Sequence, residues 1–168
     1  MRHPDNSFRT SNGTIHARCK IIAKNDGANA RNAPPEDAGG LEQEVVLAKG
    51  AKVMITRNLW QTKGYSSYCL SLLSYPHLSL GLVNGTMGTV VDVVWLPGFS
   101  RSDLPLAVLI ERPTYTGPTL WNSDTGSPIV PIPVVKNSFE LGGNHCSRTQ
   151  VPLRLAWAVP VHKSQGLI

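Results

Sequence analysis

The sequence has little charge, few cysteines and no long apolar run. Charged residues make up 16% of its 168 positions, and no stretch reaches the roughly 20 consecutive apolar residues of a membrane-spanning helix. The three cysteines (Cys19, Cys69 and Cys146) form no C-x-x-C pair, which indicates neither a disulfide framework nor a zinc site. The N-terminus lacks the apolar core of a signal peptide. We therefore expect an intracellular protein without a membrane partner or a bound metal.

The motifs of nucleotide hydrolysis are missing as well. No G-x-x-x-x-G-K-[ST] loop occurs, and no pair of acidic residues is placed to hold Mg²⁺. Hydrolysis requires both elements, so we expect this chain alone to hold neither ATP nor Mg²⁺ and to contain no catalytic residue.

Glycine and proline are abundant, and they favour a mainly β fold. The 15 Gly and 13 Pro interrupt long helices and promote turns between short strands. The predicted strands lie at 18–23, 44–47, 52–56, 89–95, 106–111, 129–135 and 153–161. Such a series is typical of a small antiparallel barrel or sandwich. The remainder of residues 1–40 is predicted to be an irregular segment and linker.

A turn is predicted in the middle of the chain. Asn84-Gly85 is a strong hairpin signal, because both central residues of that turn type need positive φ. Gly88 follows as the third residue assigned to this structural turn. A second turn is predicted at Lys49-Gly50.

Apolar alternation predicts which strand faces lie in the core. These faces are Ala51, Val53 and Ile55 in one strand, Val91, Val93 and Trp95 in the next, and the odd positions of 153–161 in the last. Trp95 and Trp157 are therefore expected in the core. For Trp60 and Trp121 two readings stay open, stacking on nucleic-acid bases or ordinary packing.

The net charge of +5 is concentrated at the two ends of the chain. Residues 1–31 carry a net charge of +4, residues 32–135 carry −2, and residues 136–168 carry +3. Basic ends suit a polyanionic partner, because binding releases counterions. The alternative is that these ends are simply solvated.

A polar segment follows the last predicted strand. The segment is His162-Lys163-Ser164-Gln165-Gly166. It supplies a cation, a hydroxyl, an amide and a glycine whose backbone can approach a ligand closely. Such groups suit phosphate oxygens. The alternative is a polar turn between a strand and a helix that binds no ligand.

Several segments together resemble the Pif-family, RecD-like DNA helicases of superfamily 1B, and most closely their Helitron-like fungal forms. The matching segments are D-A-G-G-L at 37–41, L-A-K-G-A-K-V-M-I-T-R-N-L-W at 47–60, and the stretches 81–91, 115–118 and 147–166. They follow the order of the family and cover roughly residues 36–168.

The resemblance implies an architecture and a set of site residues. Residues 41–152 would form the SH3-like barrel called 2B, and 153–168 a strand returning to a RecA-like α/β domain, followed by helicase motif V. In that motif His162, Lys163 and Ser164 would contact DNA, while Gln165 and Gly166 would lie near the nucleotide.

The resemblance also implies partners and roles. The full-length family uses ATP and Mg²⁺ on single-stranded or forked DNA, in repair, recombination, telomere maintenance or Helitron transposition. The N-terminal RecA-like domain would be a partner of this part, and the location would be nuclear, with mitochondria as the alternative. Two other functions stay open, a stand-alone nucleic-acid-binding barrel and an inactive transposon relic.

The chain departs from the family pattern in three places. The N-terminal RecA-like domain and motif VI are absent from the sequence, so we expect a truncated helicase. Pro160 stands where the family has threonine before motif V, and it offers neither a hydroxyl nor an N–H. Residues 64–80 are an insertion, which we interpret as an intron translated in frame or as a surface loop.

Overall fold

The computed structural model describes residues 7–9, 15–59, 82–99, 102–115, 119 and 121–156. The fold is mainly β, as predicted, with one 3₁₀ turn at Ala30–Asn32. The strands are β1 (Ser7–Arg9), β2 (Ile15–Ile22), β3 (Lys24–Asp26), β4 (Glu44–Ala48), β5 (Lys52–Ile55), β6 (Met87–Val94), β7 (Ala107–Glu111), β8 (Trp121–Asn122), β9 (Pro128–Pro133), β10 (Val135–Leu141), β11 (Asn144–Gln150) and β12 (Leu153–Leu155).

The largest sheet has six antiparallel strands in the order β12-β5-β6-β7-β9-β8. Its inner face carries β-branched and aliphatic side chains, which suit a pleated, buried surface. The members that are fully shielded from solvent include Val53, Ile55, Val108, Ile110 and Ile132. The predicted inward face of Val53 and Ile55 is therefore confirmed, and Ala51 packs against the same core.

A three-stranded sheet, β1-β2-β4, covers this core. Ile21 of β2 pairs with Val45 of β4, and both side chains are buried with Leu47. The strand predicted at 18–23 is thus present and starts earlier, at Ile15. Residues 15–17 and 24–26, which were predicted to be irregular, also lie in strands, because β2 starts at Ile15 and β3 pairs with β11.

The third sheet has the order β10-β11-β3 and joins an N-terminal strand, β3, to the C-terminal hairpin of β10 and β11. β10 and β11 form a hairpin of seven pairs, and β3 adds the edge pairs that join Asp26 to Ser147 and Lys24 to Thr149. The single strand predicted at 129–135 is in fact the end of one strand and the start of another, since Val134 separates β9 from β10.

The predicted turn at Asn84-Gly85 is present, but the hairpin is not. The amide of Thr86 donates to the carbonyl of Val83 at 3.0 Å, which closes the turn. Only Gly85 has a positive φ, at 92°, so the turn is of the type II class, which needs positive φ at its second central residue alone. Within the described residues the turn leads from Leu82-Val83, which is not a strand, into β6.

Gly88 lies in β6 and not in the turn, which corrects its predicted role. It pairs with Val53, and a Cβ placed on it would lie 2.9 Å from Cδ1 of Ile110. A glycine is favoured here because any side chain would require the isoleucine of the neighbouring strand to shift.

The predicted apolar face of Val91, Val93 and Trp95 holds only for Val93, because a β-bulge interrupts the strand. The register of β6 against β7 shifts between Val90 and Asp92, and an extra residue reverses the inward parity of the strand. Val90 is buried before the bulge and Val93 packs against the core after it. Trp95 follows the strand's end and is half-buried, and its Nε1 donates to the Asp103 carbonyl at 3.1 Å.

The last described strand continues the six-stranded sheet. Leu153 of β12 pairs with Ile55 and is buried, while Leu155 is 39% exposed, so the prediction that both leucines lie in the core holds only for Leu153. The predicted returning RecA-like strand and motif V extend over 153–168, of which 157–168 lie outside the described residues. The predicted domain boundaries stay a prediction. Across the described part of the chain, no helix has the length and apolar character needed to span a membrane.

Candidate nucleic-acid interface

The residues predicted to contact DNA and nucleotide lie outside the described part of the structure. This applies to His162, Lys163, Ser164, Gln165 and Gly166, so their roles stay predictions.

The tryptophans left open at the sequence level are only partly described. Trp60, and with it Trp157, lies outside the described residues. Trp121 is in β8 and is 44% exposed, so its indole face is available for contact as well as for packing. The described residues contain no group of three or more His, Cys, Asp or Glu side chains placed to hold a metal ion.

A buried arginine organises the region where β3, β11 and the 3₁₀ turn meet. Arg148 of β11 is fully buried. Its Nη1 donates to the Leu41 carbonyl at 2.9 Å, and its Nη2 donates to the carbonyls of Ala30 at 2.9 Å and Ala33 at 2.8 Å. Burial lowers the pKa of the Arg148 guanidinium, while the nearby charge of Glu42 opposes this shift. The guanidinium has no acceptor capacity, so these main-chain oxygens are the partners its five donors need.

The Nε donor of Arg148 leads into a short network of amides. Its Nε donates to Oδ1 of Asn25 at 2.9 Å, and Nδ2 of Asn25 donates to Oε1 of Gln43 at 2.9 Å. Gln150 acts in the same way two residues along β11, because its Nε2 donates to the Ile21 carbonyl at 3.2 Å. The network fixes the chain between β3 and β4 against the hairpin.

The opposite face of the same sheet carries what we call the lysine row, formed by Lys24, Thr149 and Lys136. Lys24 pairs with Thr149, and Thr149 pairs with Lys136. Residues directly opposite each other in a sheet share a face, so the two ammonium groups flank one hydroxyl across about 10 Å of sheet. Both lysines are exposed, and neither forms an ion pair within the described residues.

Sequence reasoning did not find the lysine row. The alternation of exposed and half-buried residues along β10 was the available signal, since Lys136, Ser138 and Glu140 share one face. The pairing of β3 with β11, which brings Lys24 beside Thr149 across more than a hundred positions, has no local signal.

The family-like segment after β5 is held by the Asn84-Gly85 turn. The Asn84 amide donates to Oδ1 of Asn58 at 2.8 Å, and the Gly85 amide donates to the Ile55 carbonyl at 2.8 Å. The amide of Ile55 in turn donates to the Thr86 carbonyl at 2.8 Å. The turn therefore acts as a clamp on the end of β5, and its residues have a structural role.

Comparison with known proteins identifies the family. No protein-family model matches the chain. The ATP-dependent DNA helicase PIF1 of Xenopus laevis is 31% identical over 128 residues, which cover 76% of this chain. The protein of the same name from Danio rerio is 32% identical over 125 residues, or 72% of this chain. The chain belongs to the Pif family of DNA helicases. The resemblance to the Pif family that the sequence motifs indicate is confirmed.

The match covers a small part of each Pif relative. The aligned region spans 14% of the Xenopus laevis and Danio rerio proteins. A crystal structure of the Pif1 helicase from Candida albicans has a TM-score of 0.52 with this chain at 23% identity, covering 92% of this chain and 32% of that one. This likeness shows that this Pif-family chain shares the fold of a helicase domain.

Proposed function

We propose that the chain is the DNA-contacting, SH3-like part of an ATP-dependent Pif-family DNA helicase. The identity to relatives named as ATP-dependent DNA helicases is the observation that carries the proposal. The lysine row is the described surface best suited to the contact, because two unpaired ammonium groups beside a hydroxyl match the oxygens of a phosphodiester backbone.

In this proposal nucleotide chemistry belongs to other parts of the helicase. ATP and Mg²⁺ would act in the full-length protein, and His162, Lys163 and Ser164 would contact DNA beside Gln165 and Gly166 at the nucleotide. This part would bind the single strand or the fork of the DNA. The helicase would act in the nucleus or in mitochondria. The net charge of +5 supports binding to a polyanion.

A salt titration tests the contact with DNA. The chain is titrated with a fluorescent oligothymidylate at several salt concentrations, and the anisotropy gives the affinity at each. The logarithm of the association constant is expected to fall linearly with the logarithm of the salt concentration. Lys24→Ala and Lys136→Ala should each weaken binding several-fold and reduce the slope by about 0.7, the value for one phosphate contact on a single strand.

Lys20→Ala is the matched control, because it removes one positive charge from a lysine already paired with Glu44 at 2.7 Å. This variant is expected to bind like the original chain. Equal weakening by all three substitutions would mean that only net charge matters and would contradict a role for the lysine row. A wild-type chain that does not bind the oligonucleotide would contradict the proposed function.

A further inference from the structure

A concave surface of ligand size lies on the face of β3 opposite the lysine row. Its volume is about 680 Å³, within the range of sites that bind small molecules. We call it the amide cleft, and its larger lining residues are Ile22, Asn25, Asn29, Arg31, Asn32 and Gln43. The other three lining residues are small, and no carboxylate lines the cleft.

The walls of the amide cleft are fixed in advance. All three bonds of the Asn25 amide are made within the protein, to Arg148, to Gln43 and to the Ala23 carbonyl at 3.3 Å. Arg148 also binds the carbonyls of the 3₁₀ turn that carries Arg31 and Asn32. The main chain of the cleft would therefore lose little conformational freedom when a ligand binds, and the ordering cost would fall on the exposed side chains.

Several polar groups of the cleft have no partner within the described residues. The side-chain amide of Gln43 accepts one hydrogen bond at Oε1, from Asn25, and its Nε2 donates to no acceptor among the described residues. The side chains of Asn29, Arg31 and Asn32 are exposed and form no hydrogen bond or ion pair among the described residues. Beside them Ile22 presents an apolar side chain that is 51% exposed.

These groups select one chemical class of ligand. Carboxamides present a donor and an acceptor side by side, the pattern that matches the edge of a nucleobase. A guanidinium binds phosphate oxygens in a bidentate manner, and the apolar side chain of Ile22 can cover one face of a planar ring. With no carboxylate in the lining, an anionic ligand meets no repulsion inside the cleft.

We propose that the amide cleft binds one nucleotide of a DNA single strand. The base lies against Ile22, its edge meets the carboxamides of Asn32 and Gln43, and its phosphate meets Arg31. This inference rests on the proposed function, because it assumes that the chain contacts DNA, and it adds a base-reading subsite to the phosphate contacts of the lysine row.

The test uses the whole chain labelled with ¹⁵N and two probes, deoxyadenosine monophosphate and deoxyribose phosphate. The nucleotide should shift the side-chain amide resonances of Asn32 and Gln43 in a saturable way. Deoxyribose phosphate, which lacks the base, should bind at least fivefold more weakly. Asn32→Ala should weaken nucleotide binding by fivefold or more, the smallest effect expected for losing one bidentate base contact. Arg31→Ala should weaken both probes.

Two further variants keep the test independent of folding. Gln43→Glu retains the oxygen that accepts from Asn25, removes the free donor and places a negative charge in the cleft. It should therefore fold normally and bind the nucleotide at least fivefold more weakly. Lys49→Ala is the control, since Lys49 is an exposed cation in the turn after β4 and lies outside the cleft. It should bind both probes like the original chain.

The outcomes separate this inference from the proposed function. Equal affinity for the two probes, or an Asn32→Ala variant that binds the nucleotide normally, would overturn the subsite. If the cleft variants are unaffected while Lys24→Ala and Lys136→Ala lose affinity for the oligonucleotide, the chain binds DNA without this subsite. A wild-type chain that binds neither oligonucleotide nor nucleotide would overturn both proposals.

Discussion

Arg148 shows how one side chain can stabilise a region that has no regular secondary structure. Four main-chain carbonyls and the Asn25 amide oxygen accept from its guanidinium. The chain from Ala30 to Leu41 has few ladder bonds of its own, so its buried carbonyls depend on this donor. The arrangement satisfies a buried cation without an acidic partner in hydrogen-bonding contact.

Replacing Arg148 is expected to be strongly destabilising. Arg148→Ala leaves several buried carbonyls without a donor and should lower the free energy of unfolding by at least about 3 kcal/mol. Arg148→Lys keeps the charge but cannot reach the same set of oxygens, so it should recover less than half of that loss. Urea unfolding of the three proteins gives the comparison. An alanine variant within about 0.5 kcal/mol of the original would show that the bonds contribute little.

This residue could not be assigned from the sequence. The sequence motifs mark Arg148 only as part of a family-like segment, and most of its acceptors are main-chain carbonyls, which every residue has. By contrast Val53 and Ile55 were assigned to the core correctly, because strand alternation is a local pattern. The predicted site residues 162–166 remain untested by the described structure, and the lysine row depends on a pairing with no local signal.

Among the strands, β6 departs most from regular alternation, at one glycine and one β-bulge. Gly88 allows close approach to β7, and the bulge after Val90 changes which side chains point inward. The Asn84-Gly85 turn was predictable because glycine favours positive φ. The hairpin was not, since the partners of β6 are β5, some thirty positions earlier, and β7.

Gly88→Ala tests the close approach of β6 and β7. The added methyl would lie 2.9 Å from Cδ1 of Ile110, so we expect a loss of about 1–2 kcal/mol of stability. In an Ile110→Val background that carbon is absent, and the cost of Gly88→Ala should fall by about 1 kcal/mol. Thermal or urea unfolding of the four proteins completes a double-mutant cycle. Additive effects would mean that Ile110 is not the obstacle.

At the scale of the whole molecule, the described strands surround one shared core. Side chains from β2, β4, β5, β6, β7, β9 and β12 meet in it, so Ile21 and Leu153 belong to the same core although 132 positions separate them. This packing indicates that the described part folds as a unit and holds the lysine row and the amide cleft at a fixed distance from one another. No nucleotide-binding loop occurs in its sequence.

The molecule is therefore expected to bind DNA without using ATP. The affinity for the oligothymidylate should be the same with and without ATP and Mg²⁺, and no phosphate should be released above the buffer rate, because the sequence has no loop to hold the triphosphate. Anisotropy and a colorimetric phosphate assay measure the two quantities. Hydrolysis that copurifies with the chain and is lost in a Lys163→Ala variant would contradict this expectation.

The bonds of Arg148 also have a consequence for synthesis on the ribosome. The guanidinium lies 107 to 123 positions after the oxygens that it binds. At about 5–20 residues per second, translation takes about 5–25 s to cover that distance. Throughout this interval the carbonyls between Ala30 and Leu41 have no guanidinium to donate to them. The nascent N-terminal segment therefore cannot reach its final packing until the last third of this chain has been synthesised.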